Sequence, residues 1–137
     1  MPELRNINVG DKLEPIESEP ITLKWLKKYA EISGDQSMIH LDQEAARESG
    51  FSNIIVHGML SMGIASRLLS PWFDQCVRES TFSVRFTAPL YIGDRLIVCG
   101  KVIDINHKTS TIRFIVNGRN PSGKLILKGT TELSLHQ

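Results

Sequence analysis

Two hydrophobic periods divide this chain. Through Pro71 the apolar positions recur at helical spacing, and beyond Cys76 they alternate. In the segment Leu23–Ser33, Leu23, Leu26 and Ala30 fall on one face with Tyr29 beside them; Thr22 suits its N-cap and Gly34 its end. Asp42 caps a shorter helical piece through Glu48, which Gly50 stops. Residues 58–70 predict a third helix, terminated by Pro71. Met59, Leu60, Met62, Ile64, Ala65, Leu68 and Leu69 make it apolar around most of its circumference, and such a helix is normally wrapped by other structure. Upstream, Val9-Gly10-Asp11-Lys12-Leu13 reads as a turn feeding a short first strand.

The alternating half begins with Phe82, Val84 and Phe86 and breaks at Pro89-Leu90-Tyr91-Ile92-Gly93-Asp94. Residues 96–105, 111–117 and 125–135 predict three more strands, with turns at Asn106-His107-Lys108 and Asn120-Pro121-Ser122-Gly123. Connections this short admit only antiparallel neighbours, because a parallel crossover needs about a dozen residues or more. Helices first and a meander after make the fold class α+β, with the buried helix packed against a curved antiparallel sheet. Neither repeats nor low-complexity segments interrupt it, and the 137 residues suit one domain, 1–137.

Composition narrows the function classes. A formal charge of +1 offers no electrostatic case for nucleic acid or an acidic membrane surface. No apolar run approaches the roughly 18 residues of a membrane span, and Met1-Pro2-Glu3-Leu4-Arg5-Asn6 has no apolar core for secretion. The expectation is a cytoplasmic protein. Cys76 and Cys99 lack metal-ligand spacing; one disulfide is conceivable, but reduced thiols fit that compartment better.

The chemistry concentrates in two short stretches. Gly34-Asp35-Gln36-Ser37-Met38-Ile39-His40 sets a carboxylate and an imidazole five positions apart in a loop after a helix. His57-Gly58-Met59 begins seventeen residues after His40 and puts a glycine amide at the start of the apolar helix. A carboxylate and an imidazole can share one water, while a helix N-terminus polarises a carbonyl that must accept charge. These are the parts of a site that adds water to an acyl thioester or removes it. An extended chain could hold the two Cα atoms as much as about 16–18 Å apart, so the loop must curl for Asp35 and His40 to meet. His40 and His57 lack a suitably spaced third ligand, so no metal is expected.

These stretches resemble the MaoC-like dehydratase family of the hot-dog fold, specifically its R-specific enoyl-CoA hydratase branch. The family pattern Gly-Asp-x-Asn-Pro-x-His-x-Asp stands here as Gly34-Asp35-Gln36-Ser37-Met38-Ile39-His40-Leu41-Asp42. A second signature is intact as Ile55-Val56-His57-Gly58-Met59. A third, less specific one appears as Phe86-Thr87-Ala88-Pro89-Leu90-Tyr91-Ile92-Gly93-Asp94. Ser37-Met38 replaces the usual Asn-Pro, a change that removes a backbone restraint and an amide brace from the loop.

The resemblance implies a curved sheet wrapped round a central helix, and reversible hydration of a trans-2-enoyl thioester to the (3R)-3-hydroxyacyl thioester. It implies that Asp35 and His40 hold the water, with Asp35 the base and His40 orienting or returning the proton. Gly58 is the expected oxyanion donor, with His57 capping the helix or bracing the loop. Ser66 stands where the hydratase branch often has a serine reaching towards the site, and Met59 reads as core that can also line an acyl pocket. The basic residues Arg85, Arg113, Arg119, Lys124 and Lys128 read as a solvated sheet face that could also meet coenzyme A phosphates. Coenzyme A is the favoured carrier and acyl carrier protein the next; no cofactor is called for, and a homodimer or dimer-based oligomer is expected, with a heterodimer with a related subunit as the alternative. Two alternatives stand beside this reading: a hot-dog acyl-CoA thioesterase, and a non-catalytic acyl-thioester-binding or structural subunit.

Overall fold

The alternating half of the chain forms most of a five-stranded antiparallel sheet. The structure, a computed structural model, describes residues 6–74 and 76–136, with only the backbone described for 76–80. The strands are β1 (Ile16–Glu17), β2 (Cys76–Phe86), β3 (Ile97–Asn106), β4 (Thr111–Arg119) and β5 (Leu125–Leu135), in the order β1-β3-β4-β5-β2. The expected meander is β3-β4-β5. β2 breaks the consecutive order and pairs with β5, with Val84 opposite Gly129 and Phe86 opposite Leu127. β1 pairs with β3 through Ile16 and Val98. It begins later than the segment 9–13, where Lys12 makes a single bridge to Lys101; Pro15, without an N–H to donate, separates the two contacts.

Among the described residues, three α-helices lie before β2. In α1 (Leu23–Ser33), the Thr22 side chain accepts from the Trp25 amide at 3.2 Å, and Gly34, at φ 82°, supplies the left-handed C-cap. Leu26 and Ala30 are buried, as their spacing predicts. Asp42 caps α2 (Gln43–Glu48) by accepting from the Ala45 amide at 2.9 Å. The central α3 (Gly58–Ser66) presses Leu60, Ile64 and Ala65 into the sheet face that carries Ile112, Phe114 and Val116.

Two expectations for α3 need correction. The α-helix ends at Ser66, and Arg67–Trp72 continues as a 3-10 helix that contains Pro71. A proline ring crowds the carbonyl four residues back, which tightens the preceding turn before the chain leaves the helix. Nor is the helix wrapped on every side: Met59 is 64% exposed and Gly63 is exposed one turn further on. Met59 is therefore not a core residue of the single chain.

Cys99 is an exposed free thiol. It sits on β3, and Cys76 sits on β2, three strand spacings away. That separation is roughly 14 Å, beyond disulfide reach. No helix among the described residues is long and apolar enough to cross a membrane.

Candidate active site

The loop between α1 and α2 does curl. Met38–His40 forms one 3-10 turn, which swings His40 back towards Asp35. His40 Nε2 lies 3.9 Å from Asp35 Oδ2. The opposite ring nitrogen, Nδ1, donates to the Ile55 carbonyl at 2.8 Å, which leaves Nε2 to face the carboxylate. The Ile55 amide in turn donates to the Ile39 carbonyl at 3.2 Å, so the loop is stitched to the segment entering α3.

Ser37 now has a visible task. Its hydroxyl and its amide both donate to Asp35 Oδ1, at 2.8 and 3.2 Å. These two bonds are the main reason that the Asp35 carboxyl lies below its usual value of 3.8; the nearby histidines add a smaller pull in the same direction. The serine thus braces the carboxylate where the family pattern has an asparagine. The Asp35 side chain is 50% exposed, in contrast to the buried ring it faces.

His57 is 1% exposed and serves as a post rather than as a helix cap, since its side chain makes no capping bond. Its Nε2 donates to the Asp35 main-chain carbonyl at 3.0 Å. Its ring stacks on His40, with centroids 4.0 Å apart, and meets Tyr29 edge-on at 4.8 Å. Burial holds the imidazole below the ordinary histidine value of 6.5, only partly offset by the bond to Asp35. A neutral ring here adds no positive charge to the stack.

A cavity of about 340 Å³ opens beside this cluster. His40, Gly58 and Ser61 supply its polar wall, and Phe51, Val56, Phe86, Leu90 and Ile126 much of the apolar remainder. Residues from all three sequence signatures therefore border one space, including Phe86 and residues 87–90 of the least specific one. Asp35 is outside the wall and reaches the cavity through His40. Gly58 opens α3, and its amide has no acceptor among the described residues, as expected of a first-turn N–H. The Phe86 ring packs against it: a Cβ at position 58 would lie 3.1 Å from Phe86 Cζ.

Other sequence-predicted residues fall elsewhere. The Ser66 hydroxyl donates to the Gly63 carbonyl at 2.6 Å, and Ser66 does not border the cavity; nor does Met59, which points outward. The serine that does border it is Ser61, at i+3 from Gly58 and so on the same helix face, a spacing that could have singled it out. Arg85 and Lys128 stand opposite each other on β2 and β5, both exposed, while Val84 next to Arg85 packs on the core from the other face. The Arg119 side chain donates to the Gly123 carbonyl, and Arg113 lies 4.0 Å from Glu132.

The structure does supply the third ligating residue that linear spacing lacks. Asp35, His40 and His57 bring one potential ligand atom each within 4.8 Å of one another. The two imidazole planes are only 24° apart, however, and a metal binds about 2.0–2.1 Å from nitrogen in the ring plane. Two stacked rings cannot both meet that demand for one ion, so the cluster suits a hydrogen-bonded acid–imidazole pair better.

Comparison with known proteins gives this geometry a context. A mitochondrial 3-hydroxyacyl-[acyl-carrier-protein] dehydratase from Arabidopsis thaliana is 40% identical over 91 residues, 66% of this chain and 53% of that protein. The chain thus spans about half the length of that relative. A 3-hydroxybutyryl-CoA dehydratase from Methylorubrum extorquens is 31% identical over 113 residues, covering 77% of this chain and 69% of the other. The solved structure of an unliganded R-hydratase from Pseudomonas aeruginosa superposes with a TM-score of 0.86 at 28% identity, over 98% of this chain and 85% of that one. The sheet curved about a central helix is thus the hot-dog fold. With residues 5–120 matching the family model of the MaoC like domain, the chain belongs to the MaoC-like dehydratase family.

Proposed function

We propose that this protein reversibly hydrates a trans-2-enoyl thioester to the (3R)-3-hydroxyacyl thioester. The observation that carries this reading is the 3.9 Å approach of Asp35 Oδ2 and His40 Nε2 beside a largely apolar cavity that Gly58 also lines. That spacing is too long for a direct hydrogen bond and short enough for both atoms to bond one water. In hydration, the water oxygen adds to C3 while a water proton passes to the Asp35 carboxylate. The pair then returns a proton to C2, with His40 Nε2 aligning the water. Between these events the negative charge rests on the thioester oxygen, where the Gly58 N–H and the α3 dipole stabilise it. Dehydration is the same path reversed.

The R configuration and the thioester substrate are supported by the names of the relatives, which include an R-hydratase and dehydratases of carrier-protein-bound and coenzyme-A-bound acyl groups. Coenzyme A is the preferred carrier in this proposal and acyl carrier protein the second choice. The molecule works as a homodimer. Two features support this: among the described residues the eleven-residue β2 ends the sheet order with an open edge, and α3 presents Met59 and Gly63 to solvent. A second copy would cover both, and sedimentation of the purified protein as a single-chain species would reject that part. Cytoplasmic location is proposed on sequence grounds.

Crotonyl-CoA is the test substrate. Loss of the enoyl absorbance, together with inactivity of Asp35→Asn, is the expected result. Release of free coenzyme A thiol would assign a thioesterase instead. Binding without turnover, indifferent to Asp35→Asn, would assign a non-catalytic acyl-thioester subunit.

A further inference from the structure

Ser61 stands out among the hydroxyls near α3. A serine inside a helix commonly donates back to a carbonyl of the preceding turn. Ser66 does so to Gly63, and Ser70 does so to Arg67 in the 3-10 segment. On the opposite wall, the Thr87 hydroxyl is taken up by the Leu125 carbonyl at 2.6 Å. Ser61 is 2% exposed, yet its hydroxyl has no partner among the described residues, while its amide already uses the His57 carbonyl at 3.1 Å. The sealed, unpartnered side-chain atoms among the described residues are His57 Nδ1 and Trp72 Nε1. The Ser61 oxygen is not one of them, because it opens onto the cavity whose wall it forms.

Desolvating a hydroxyl without a partner is unfavourable, so such a group belongs with a ligand that supplies an acceptor. The wall around it offers little else: Val56, Phe86, Leu90 and Ile126 are apolar. A 3-hydroxyacyl thioester brings two oxygens into this space, the carbonyl and the hydroxyl at C3. Asp35 and His40 approach from the loop and attend to the second. Ser61 shares with Gly58 one face of the helix N-terminal turns, where the dipole favours negative charge.

Resting on the hydratase reading, we propose that Ser61 donates a second hydrogen bond to the thioester carbonyl oxygen. It thereby completes with the Gly58 amide a two-donor site for the enolate. A carbonyl oxygen has two lone pairs, so both donors can be accommodated. The hydroxyl rotates to follow the charge and undergoes no covalent change.

The test combines turnover with two saturated ligands. Crotonyl-CoA hydration is measured for the wild type, Ser61→Ala and Ser61→Thr, and binding is measured for butyryl-CoA and for S-butyl-CoA, the thioether without a carbonyl oxygen. Ser61→Ala is expected to lower kcat about a hundredfold, with Ser61→Thr retaining most of the rate. The same alanine variant should weaken butyryl-CoA about fivefold and leave S-butyl-CoA unchanged. Wild-type kcat in Ser61→Ala would overturn the assignment, and so would equal weakening of both ligands, which signals lost shape rather than a lost donor. The two readings fail separately. If the wild type does not hydrate crotonyl-CoA but butyryl-CoA alone depends on Ser61, the donor stands and the hydratase reading falls. If hydration proceeds without regard to Ser61, the reverse holds.

Discussion

The two halves of the site are built in opposite ways. Asp35 stands half exposed on an irregular loop, held by a serine two residues away and by the buried His57 ring. Gly58 and Ser61 belong to a helix whose inner face lies in the core against the sheet. The difference suits what the proposed hydration would ask of each half. Proton transfer needs a carboxylate in contact with water, and a loop can present one without burying its charge. Stabilising an enolate needs fixed dipoles in a largely apolar wall, which a buried helix start provides with little reorganisation. The loop half should therefore be tunable by its near neighbours, and the helix half should tolerate little change.

The largest effects should come from removing the chemistry of the loop. Asp35→Asn and His40→Ala are each expected to lower kcat for crotonyl-CoA by about 10²–10⁴-fold, with an unaltered fold by circular dichroism. If either variant keeps near-wild-type turnover, proton transfer does not belong to this pair.

The helix half can be broken at one atom. His57 has φ −55° and ψ 130°, a conformation suited to the residue before a proline, and Gly58 is the first residue of the helix, where proline is well tolerated. Gly58→Pro thus deletes the amide donor while suiting the backbone, and Gly58→Ala makes the same Cβ approach to Phe86 but keeps the N–H. The proline variant should be slower than the alanine variant by about 10²–10³-fold in kcat. Equal rates for the two would remove Gly58 from the oxyanion site.

A smaller effect sharpens the role of the loop brace. Ser37→Ala removes the hydroxyl bond, the largest cause of the lowered Asp35 value, and keeps the amide bond, so that value should rise part of the way towards 3.8. The acid limb of the kcat/KM profile then moves to higher pH, because the carboxylate form is lost sooner as protons are added. A limb that moves down, or not at all, would show that Ser37 does not tune the base.

Stability should carry the smallest signal. The folded protein disfavours protonated His57, so the unfolded chain binds more protons in the interval between the lowered value and 6.5. This contribution is complete above 6.5 and is lost as pH falls through the folded value. Urea unfolding at a series of pH values should show it for the wild type, and His57→Phe should flatten that interval. A pH-independent difference between the two proteins would assign the stabilisation to packing alone.

Much of this architecture is legible from neighbouring residues. Thr22, Asp42 and Gly34 mark helix ends because caps act over three or four positions. The three-strand meander follows from alternation and short turns. Asp35, His40 and Gly58 are visible as candidate site residues because their spacing is local and the signatures containing them are nearly intact. By sequence, Ser37 reads as the loss of a brace on the loop, whereas in the structure its hydroxyl and amide brace the Asp35 carboxylate.

Neighbouring residues thus specify most helices and strands, where several of them end, and the candidate chemical groups. Which of these groups meet is settled by long-range packing. The bond from His57 to the Asp35 carbonyl spans 22 residues, that from His40 to the Ile55 carbonyl spans 15, and the one from the Leu96 amide to the Ser18 hydroxyl spans 78. The pairing of β2 with β5 is equally remote, and the rotation of α3 that turns Ser61 inward and Met59 outward depends on the sheet beneath it. Caps and periodicity depend on residues a few positions apart, whereas a cavity wall exists only after segments distant in the chain have packed together.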